Sequence, residues 1–277
     1  MRIGAREFEF GTRTFVMGIL NTSPDSFSGD GLGDPAQAVQ RALDQVEAGA
    51  HLIDVGGQST RPGSEALPED VEIRRVVPVI ERLVAETQVP VSVDTFKPQV
   101  ARVALDAGAA MVNDISGLSW GDEMARLCSA RKVPVVLMHI LGTPRTMQDN
   151  PHYEDVTGEI AAYFRRQLQV AESAGLSRDQ VILDPGIGFG KKVEHNLEIL
   201  RRLSELRALG LPLLVGPSRK SFIGHVLNLP PEERIEGTAA AVSLAIAGGA
   251  DIVRVHDVKE MARVCRMADA IVRGLVA

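Results

Sequence analysis

Short apolar runs in this chain end, one after another, in polar side chains of different chemistry. Asn21 closes "TFVMGILN", Asp54 sits in "HLIDVGG", Asp94 in "VPVSVDT", and Asn113 and Asp114 in "MVNDIS". His139 closes "VPVVLMH", Asp184 lies in "VILDPG", Ser218 and Lys220 follow "LPLLVGP", and Arg254 and His256 lie in "DIVRVHD". Asp94, Asn113, Asp184 and Lys220 together supply two carboxylates, an amide and an ammonium. That set suits a flat heterocycle: a carboxylate accepts two parallel N–H bonds from an amino-pyrimidinone edge, and a lysine donates to its carbonyl. Arg254 and His256 are two apart on a strand and so face the same way, which suits a phosphate or pyrophosphate. The Asn21 oxygen, joined by phosphate oxygens, makes a Mg²⁺ arrangement. One or two such residues would read as caps of the following helices. Polar residues of differing type after all eight runs read better as one shared pocket.

The stretch "LDPGIGFGKK", from Leu183 to Lys192, resembles a phosphate cradle but matches neither phosphate motif. A P-loop needs Gly where Pro185 stands and Ser or Thr where Lys192 stands; a dinucleotide fingerprint needs a wider last spacing than Gly186, Gly188 and Gly190 give. Asp184 at its base suits N–H donors rather than phosphate. His139, with no second His or Cys at a metal spacing, reads as a structural or supporting group. Met138 reads as core, or as packing for a flat ring. Ser221 reads as a carboxylate contact at a helix start or as a cap.

The elements that must position these residues follow from the pattern. Eight Val/Ile/Leu-rich runs, at 14–21, 51–57, 89–95, 111–116, 133–139, 181–186, 211–217 and 251–257, read as strands buried on both faces. Amphipathic helices are predicted between them, over "PAQAVQRALDQVEAGA", "EDVEIRRVVPVIERLVAE" and "PQVARVALDAGA", and over 155–174, 193–208, 234–248 and 259–273. The alternation predicts an α/β fold, a (β/α)₈ TIM barrel, in a single domain spanning 1–277. An open doubly wound sheet is the alternative that alternation alone leaves. "EFEFGTRTF" predicts a short N-terminal hairpin closing the barrel bottom, with Gly11 at its turn. The loops "NTSPDSFSGDG" and "GGQSTRPGSEA" read as lids that exclude water, carrying Asn21 and Asp25, then Thr60 and Arg61.

Composition excludes several function classes. The 277 residues are 45% hydrophobic and 24% charged, and no apolar run approaches membrane-span length. The net charge of −6 and the lack of a basic run argue against nucleic acid. An anion would be held by local Arg, Lys or metal. The charged N-terminus "MRIGAREFEF" has no signal core, and Cys128 and Cys265, both in predicted helices, argue for a reducing compartment; the expectation is cytoplasmic.

Taken together, "MGILNTSPDSFSGDG", "DVGGQSTRPGSE", "VSVDTFKP", "VNDISG", "LMHILGTPRTMQ", "DPGIGFGKKVEHN", "GPSRKSFIG", "EGTAAAVSLA" and "GADIVRVHDVKE" resemble dihydropteroate synthase, in order and over nearly the whole chain. The resemblance implies a homodimeric barrel that joins 6-hydroxymethyl-7,8-dihydropterin pyrophosphate to p-aminobenzoate, giving 7,8-dihydropteroate and pyrophosphate. It implies that Asp94, Asn113, Met138, Asp184, Lys220 and Arg254 hold the pterin. Asn21, Arg61, Arg254 and His256 would hold the pyrophosphate, with Mg²⁺ at Asn21. Phe27, Thr60, Phe189, Lys220 and Ser221 would line the p-aminobenzoate pocket. The catalytic set so implied is Asn21, Asp25, Thr60, Arg61, Asp94, Lys220, Arg254 and His256. The chain departs from the family pattern in its first loop, at Gln58 where Glu is usual, and at Ile187 where Phe is commoner. Two other readings stay open: a pterin-dependent methyltransferase, which needs no pyrophosphate clamp, and a catalytically silent pterin-binding barrel. Helix 234–248, apolar on most sides, is the expected subunit interface.

Overall fold

Ten strands and ten helices are seen in the computed structural model, which describes residues 1–22, 34–60, 63–64 and 67–274. A two-stranded antiparallel hairpin, β1 (Arg2–Ile3) and β2 (Arg6–Glu7), comes first. The parallel strands are β3 (Phe15–Asn21), β4 (Leu52–Gly56), β5 (Val91–Asp94), β6 (Met111–Asp114), β7 (Val135–Met138), β8 (Val181–Asp184), β9 (Leu214–Val215) and β10 (Ile252–Val255). Helices alternate with them: α1 (Pro35–Glu47), α2 (Glu69–Glu86), α3 (Pro98–Asp106), α4 (Glu123–Arg131), α5 (Val156–Ser173), α6 (Val193–Arg201), α7 (Leu203–Arg207), α8 (Ser221–Leu227), α9 (Ile235–Ala247) and α10 (Val258–Val272).

The strands pair in the order β8-β7-β6-β5-β4-β3-β10-β9. A parallel bridge between Leu183 and Leu213 then joins β8 to the approach of β9 and closes the barrel. The open-sheet alternative falls on that bridge. β9 is shorter than the predicted run 211–217 because prolines bound it. Pro212 and Pro217 carry no N–H for the ladder, and Pro212 contributes only its carbonyl, to Leu183 N at 2.9 Å. The predicted helix 193–208 is two helices, since Arg202 leaves helical geometry (φ −109°, ψ 19°) and Leu203 and Leu206 beyond it turn into the core.

The inward face of each strand changes character along its length. At one end Phe15, Met17, Leu52, Met111, Val136, Ile182, Leu214 and Ile252 form a closed apolar layer. The N-terminal hairpin is present but lies earlier than predicted: it turns at Gly4 (φ 59°) and Ala5, and Gly11 follows it. Ile3 of β1 and Phe8, just past β2, pack into that layer, with the Phe8 and Phe15 rings 4.7 Å apart. Two residues further along, on the same face, stand Asp54, Asn113, Met138, Asp184 and Arg254. The larger outer core lies between the strands and the helices, and Cys128 and Cys265 are buried there as free thiols.

Candidate active site

The C-terminal strand ends bring the polar residues together through register. Asn21 pairs with Gly56, Gly56 with Asp94, and Asp94 with Asn113, so these positions form one tier across β3 to β6. Gly56 leaves room between two of the side chains: a Cβ there would lie 3.5 Å from Asp94 Oδ2 and 3.7 Å from Asn21 Oδ1. Few of these residues serve as caps. The side-chain caps of α1 and α5 come from Asp34 and Asp155, which are not strand ends. Asp114 is the exception to the pocket reading, because its carboxylate closes a turn, accepting from Ser116 N at 2.8 Å and Leu118 N at 3.1 Å.

Arg254 is the centre of the tier. Its Nε donates to Asp54 Oδ2 at 2.6 Å and its Nη2 to Asp94 Oδ2 at 2.7 Å. Asn113 Nδ2 donates to the same Asp54 oxygen at 2.9 Å. Asp54, a polar strand end with no ligand role in the sequence reading, is thus the counter-ion that orients both. After these bonds, Asp54 Oδ1, Ser92 Oγ, Asp94 Oδ1 and Asn113 Oδ1 are buried with no hydrogen-bond partner among the described residues. Buried polar atoms are ordinarily paired, so four orphans on adjacent strands mark a place built for donors from outside the chain. Burial raises the Asp94 pKa to about 7, with Asp54 adding to the rise and Arg254 opposing it. Burial also raises that of Asp184, against the pull of Lys220 and of the Gly186 N–H that bonds its Oδ1 at 2.7 Å.

The far wall is apolar. Met138 is buried with Ile115, Ile140 and Met147, and the half-buried rings of Phe96 and Phe189 pack against them. Lys220 lies with its ammonium 4.5 Å from the centre of the Phe189 ring and donates to the carbonyl of Ile187. Burial lowers its pKa to about 8. His256 and Ser218 bond twice, through Oγ to Nδ1 at 3.0 Å and through His256 N to Oγ at 3.2 Å. Ser221 is the first residue of α8 and exposed; the N-cap position before it is Lys220, whose side chain makes no cap bond.

The glycines of the β8–α6 loop have a packing reason. Gly186, Gly188 and Gly190 all have φ between 62° and 83°. A Cβ would lie 2.0 Å from His139 O at Gly186, 3.0 Å from Lys220 Cδ at Gly188 and 2.7 Å from Leu141 O at Gly190. The loop's carbonyls are claimed from all sides: Ile187 by Lys220, Gly188 by Gln148, Phe189 by Lys191 and Gly190 by Tyr153. This loop is a close-packed wall and not a phosphate cradle.

Two buried lysines were not singled out in the sequence. Lys191 joins His139 to this loop, and nothing in the sequence separates it from exposed Lys192. Lys97 donates to Gln58 Oε1 at 2.6 Å, Leu67 O at 2.5 Å and Glu72 Oε2 at 2.6 Å, tying the two ends of the β4–α2 connection. Gln58, the departure from the family pattern, works there as an acceptor. Thr60 lies in that connection, half-buried; Asp25, Phe27 and Arg61 lie outside the described residues.

Among the described residues no three His, Cys, Asp or Glu side chains form a metal cage. Mg²⁺ needs no such cage, since it is held by one or two protein oxygens and by substrate phosphates. The paired oxygens of Asn21 and Asp94 across Gly56 fit that mode. No helix among the described residues is long and apolar enough to cross a membrane.

Comparison with known proteins agrees with this geometry. Residues 17–256 match the family described as pterin binding enzyme. A curated dihydropteroate synthase of Synechocystis is 52% identical over 98% of this chain and 94% of its own. Dihydropteroate synthase of Yersinia pestis, solved with a sulfonamide drug, superposes with a TM-score of 0.94 at 42% identity, over 98% of both chains. That of Xanthomonas albilineans, solved with 4-aminobenzoic acid, gives a TM-score of 0.88 at 44% identity over 95% of this chain and 94% of that one.

Proposed function

The chain belongs to the pterin binding enzymes and, among them, to the dihydropteroate synthases, and from that premise we propose how its own residues carry out the condensation. The substrates are 6-hydroxymethyl-7,8-dihydropterin pyrophosphate and p-aminobenzoate. The observation that carries the reading is the set of orphaned acceptors on Asp54, Asp94 and Asn113. A pterin edge presents amino and ring N–H donors, and a buried acceptor left unmatched costs about 1–3 kcal/mol, so the ligand that supplies those donors is strongly favoured. Asp184 holds the other side of the ring, and Met138 packs against its face. Phe189, Lys220, Ser221 and Thr60 line the p-aminobenzoate side, and Phe27 is assigned to the same substrate.

The C–O bond between the pterin methylene and the pyrophosphate breaks first, and its electron pair leaves on the pyrophosphate oxygen. Arg254, His256, Asn21 and Arg61 spread the charge that arrives there. Asn21, together with phosphate oxygens, would hold Mg²⁺, which would supply further neutralisation of that charge. The methylene cation left behind is conjugated with the dihydropterin ring. The carboxylates of Asp94 and Asp184 lower its energy. The arylamine nitrogen then attacks the methylene, the C–N bond forms and the nitrogen loses a proton. An arylamine is a weak nucleophile, so departure before attack spares the enzyme from deprotonating it. To Asp25, Phe27, Thr60 and Arg61 we assign the task of keeping water from the cation.

The enzyme works as a cytoplasmic homodimer through α9 and α10. These helices pack side by side. Leu244, Met267 and Ile271 on them are 62%, 63% and 72% exposed, an apolar strip that a second copy would cover. Monomer in sedimentation at micromolar concentration would remove the dimer from the proposal.

Pyrophosphate release, measured with Mg²⁺ and dihydropterin pyrophosphate, tests the chemistry. Release that depends on p-aminobenzoate, with dihydropteroate formed in step, is expected. Slow release without p-aminobenzoate fits departure-first chemistry. No release despite retained pterin binding would end the synthase reading.

A further inference from the structure

Lys191 is one of the most enclosed cations in the chain, 3% exposed, and the condensation has no task for it. Its Nζ reaches His139 Nδ1 at 2.9 Å, His139 O at 3.2 Å and Phe189 O at 2.8 Å. An ammonium has three donors, so these three acceptors use it fully, and His139 must then accept through Nδ1 and carry its proton on Nε2. No carboxylate among the described residues lies within ion-pair distance. Both groups are held toward their neutral forms by burial, Lys191 with Lys220 adding to the fall and Asp184 opposing it, His139 with Lys191 adding to it. A buried ammonium without a counter-ion is a poor source of stability. Its three bonds instead pin one place: the end of β7 at His139 to the β8–α6 loop at Phe189.

What is pinned matters. The Phe189 ring faces the Lys220 ammonium at 4.5 Å, and Lys220 in turn bonds the Ile187 carbonyl of the same loop. Asp184, which opens the loop, is fixed separately, by its own bond to Gly186 N. The loop therefore has two anchors: Asp184 on the pterin side and Lys191 at the tip. We propose that Lys191 is a positioning residue for the second substrate, holding Phe189 and Lys220 as one preformed face for the arylamine. The inference rests on the synthase reading, and it adds to it a residue that touches neither substrate.

The test is Lys191→Met, which keeps the stem and removes the donors, measured with His139→Leu, Phe189→Ala and the double variant Lys191→Met/Phe189→Ala. The expected result for Lys191→Met is a KM for p-aminobenzoate raised about tenfold or more, about 1.4 kcal/mol, with pterin pyrophosphate affinity by calorimetry within about twofold of the wild type. His139→Leu, which leaves Lys191 its two carbonyl acceptors, should show a smaller effect on the same constant. If Lys191 acts through Phe189, its effect should largely vanish in the Phe189→Ala background, whereas a general structural effect would add. Equal losses for both substrates, or full additivity with Phe189→Ala, would overturn the proposal. Should Lys191→Met fail to fold, His139→Leu decides: an unchanged p-aminobenzoate KM overturns it. Wild-type turnover separates the two readings. If the wild type consumes both substrates, a negative result falls on Lys191 alone; if it does not, the synthase reading falls and this role falls with it.

Discussion

The two ends of the barrel bury carboxylates in opposite ways. At the bottom, Asp251 is wholly buried and fully used. Its Oδ1 accepts from Gly11 N at 2.9 Å, and its Oδ2 accepts from Leu213 N at 3.0 Å and from Arg207. At the mouth, Asp54 and Asp94 share Arg254 but each keeps one buried oxygen without a partner among the described residues. The interior between them goes from a closed apolar layer to charges within two residues on the same strand face. The bottom is arranged for stability, with both oxygens of the Asp251 carboxylate matched. The mouth gives up that matching so that a ligand can complete it, which is the usual trade between stability and a working site.

The contrast breaks most easily at the bottom. Arg207→Met leaves the Asp251 carboxylate buried without its charge partner, and loss of such a partner costs about 3–5 kcal/mol. Urea unfolding should show that loss, while kcat per folded molecule stays at the wild-type value. A fall in kcat equal to the fall in stability would mean the two ends are not separable.

At the mouth the expected effect is smaller and falls on binding. Asp184→Asn keeps the shape but removes a charge, weakening pterin binding by about 1–3 kcal/mol through loss of charge-assisted bonds. The thermal midpoint should hold or rise, because burial already penalises this carboxylate. Unchanged pterin affinity by calorimetry would take Asp184 out of the pocket.

How much of this was legible before folding differs between the ends in the same way. The strand ends at the mouth could be read because a period of two places Asp54, Asp94, Asn113, Asp184 and Arg254 on one face, all but Asp94 one step beyond an apolar residue and Asp94 one step beyond Ser92. That a hairpin plugs the bottom was legible, but its place was not: the alternating "EFEF" and Gly11 pointed to a turn at Gly11, whereas β1 and β2 turn at Gly4 and Ala5. The pairing of charges was not, because it depends on register between strands far apart in sequence. Arg254 meets Asp54 and Asp94 across 200 and 160 residues. For the same reason the sequence could not separate buried Lys191 and Lys97 from surface lysines. It also hid why three glycines alternate after Asp184: the close approach of His139, Lys220 and Leu141 exists only once the barrel is closed.

The sharpest form of the comparison is its response to pH, through Asp94. Burial raises the Asp94 pKa from the ordinary carboxylate value of 3.8 to about 7. Arg254 occupies Oδ2, so a proton on Asp94 would sit on the orphaned Oδ1 and meet a pterin N–H with a hydrogen of its own; the carboxylate is the better acceptor. Pterin affinity should therefore be level above about pH 7 and weaken on acidification, by up to about tenfold per pH unit for one such group. Stability of the empty protein should move the other way. A carboxyl whose pKa is higher folded than unfolded contributes stability that is full below the unfolded value and is lost as pH rises through the folded one. Between about pH 4 and 7, then, this residue should make the empty protein more stable as its affinity for pterin falls. Calorimetric titration and thermal unfolding across that range, repeated on Asp94→Asn, would check both slopes at once. The variant should flatten both, since an amide does not titrate; slopes that survive the substitution would assign the titration to another group at the mouth.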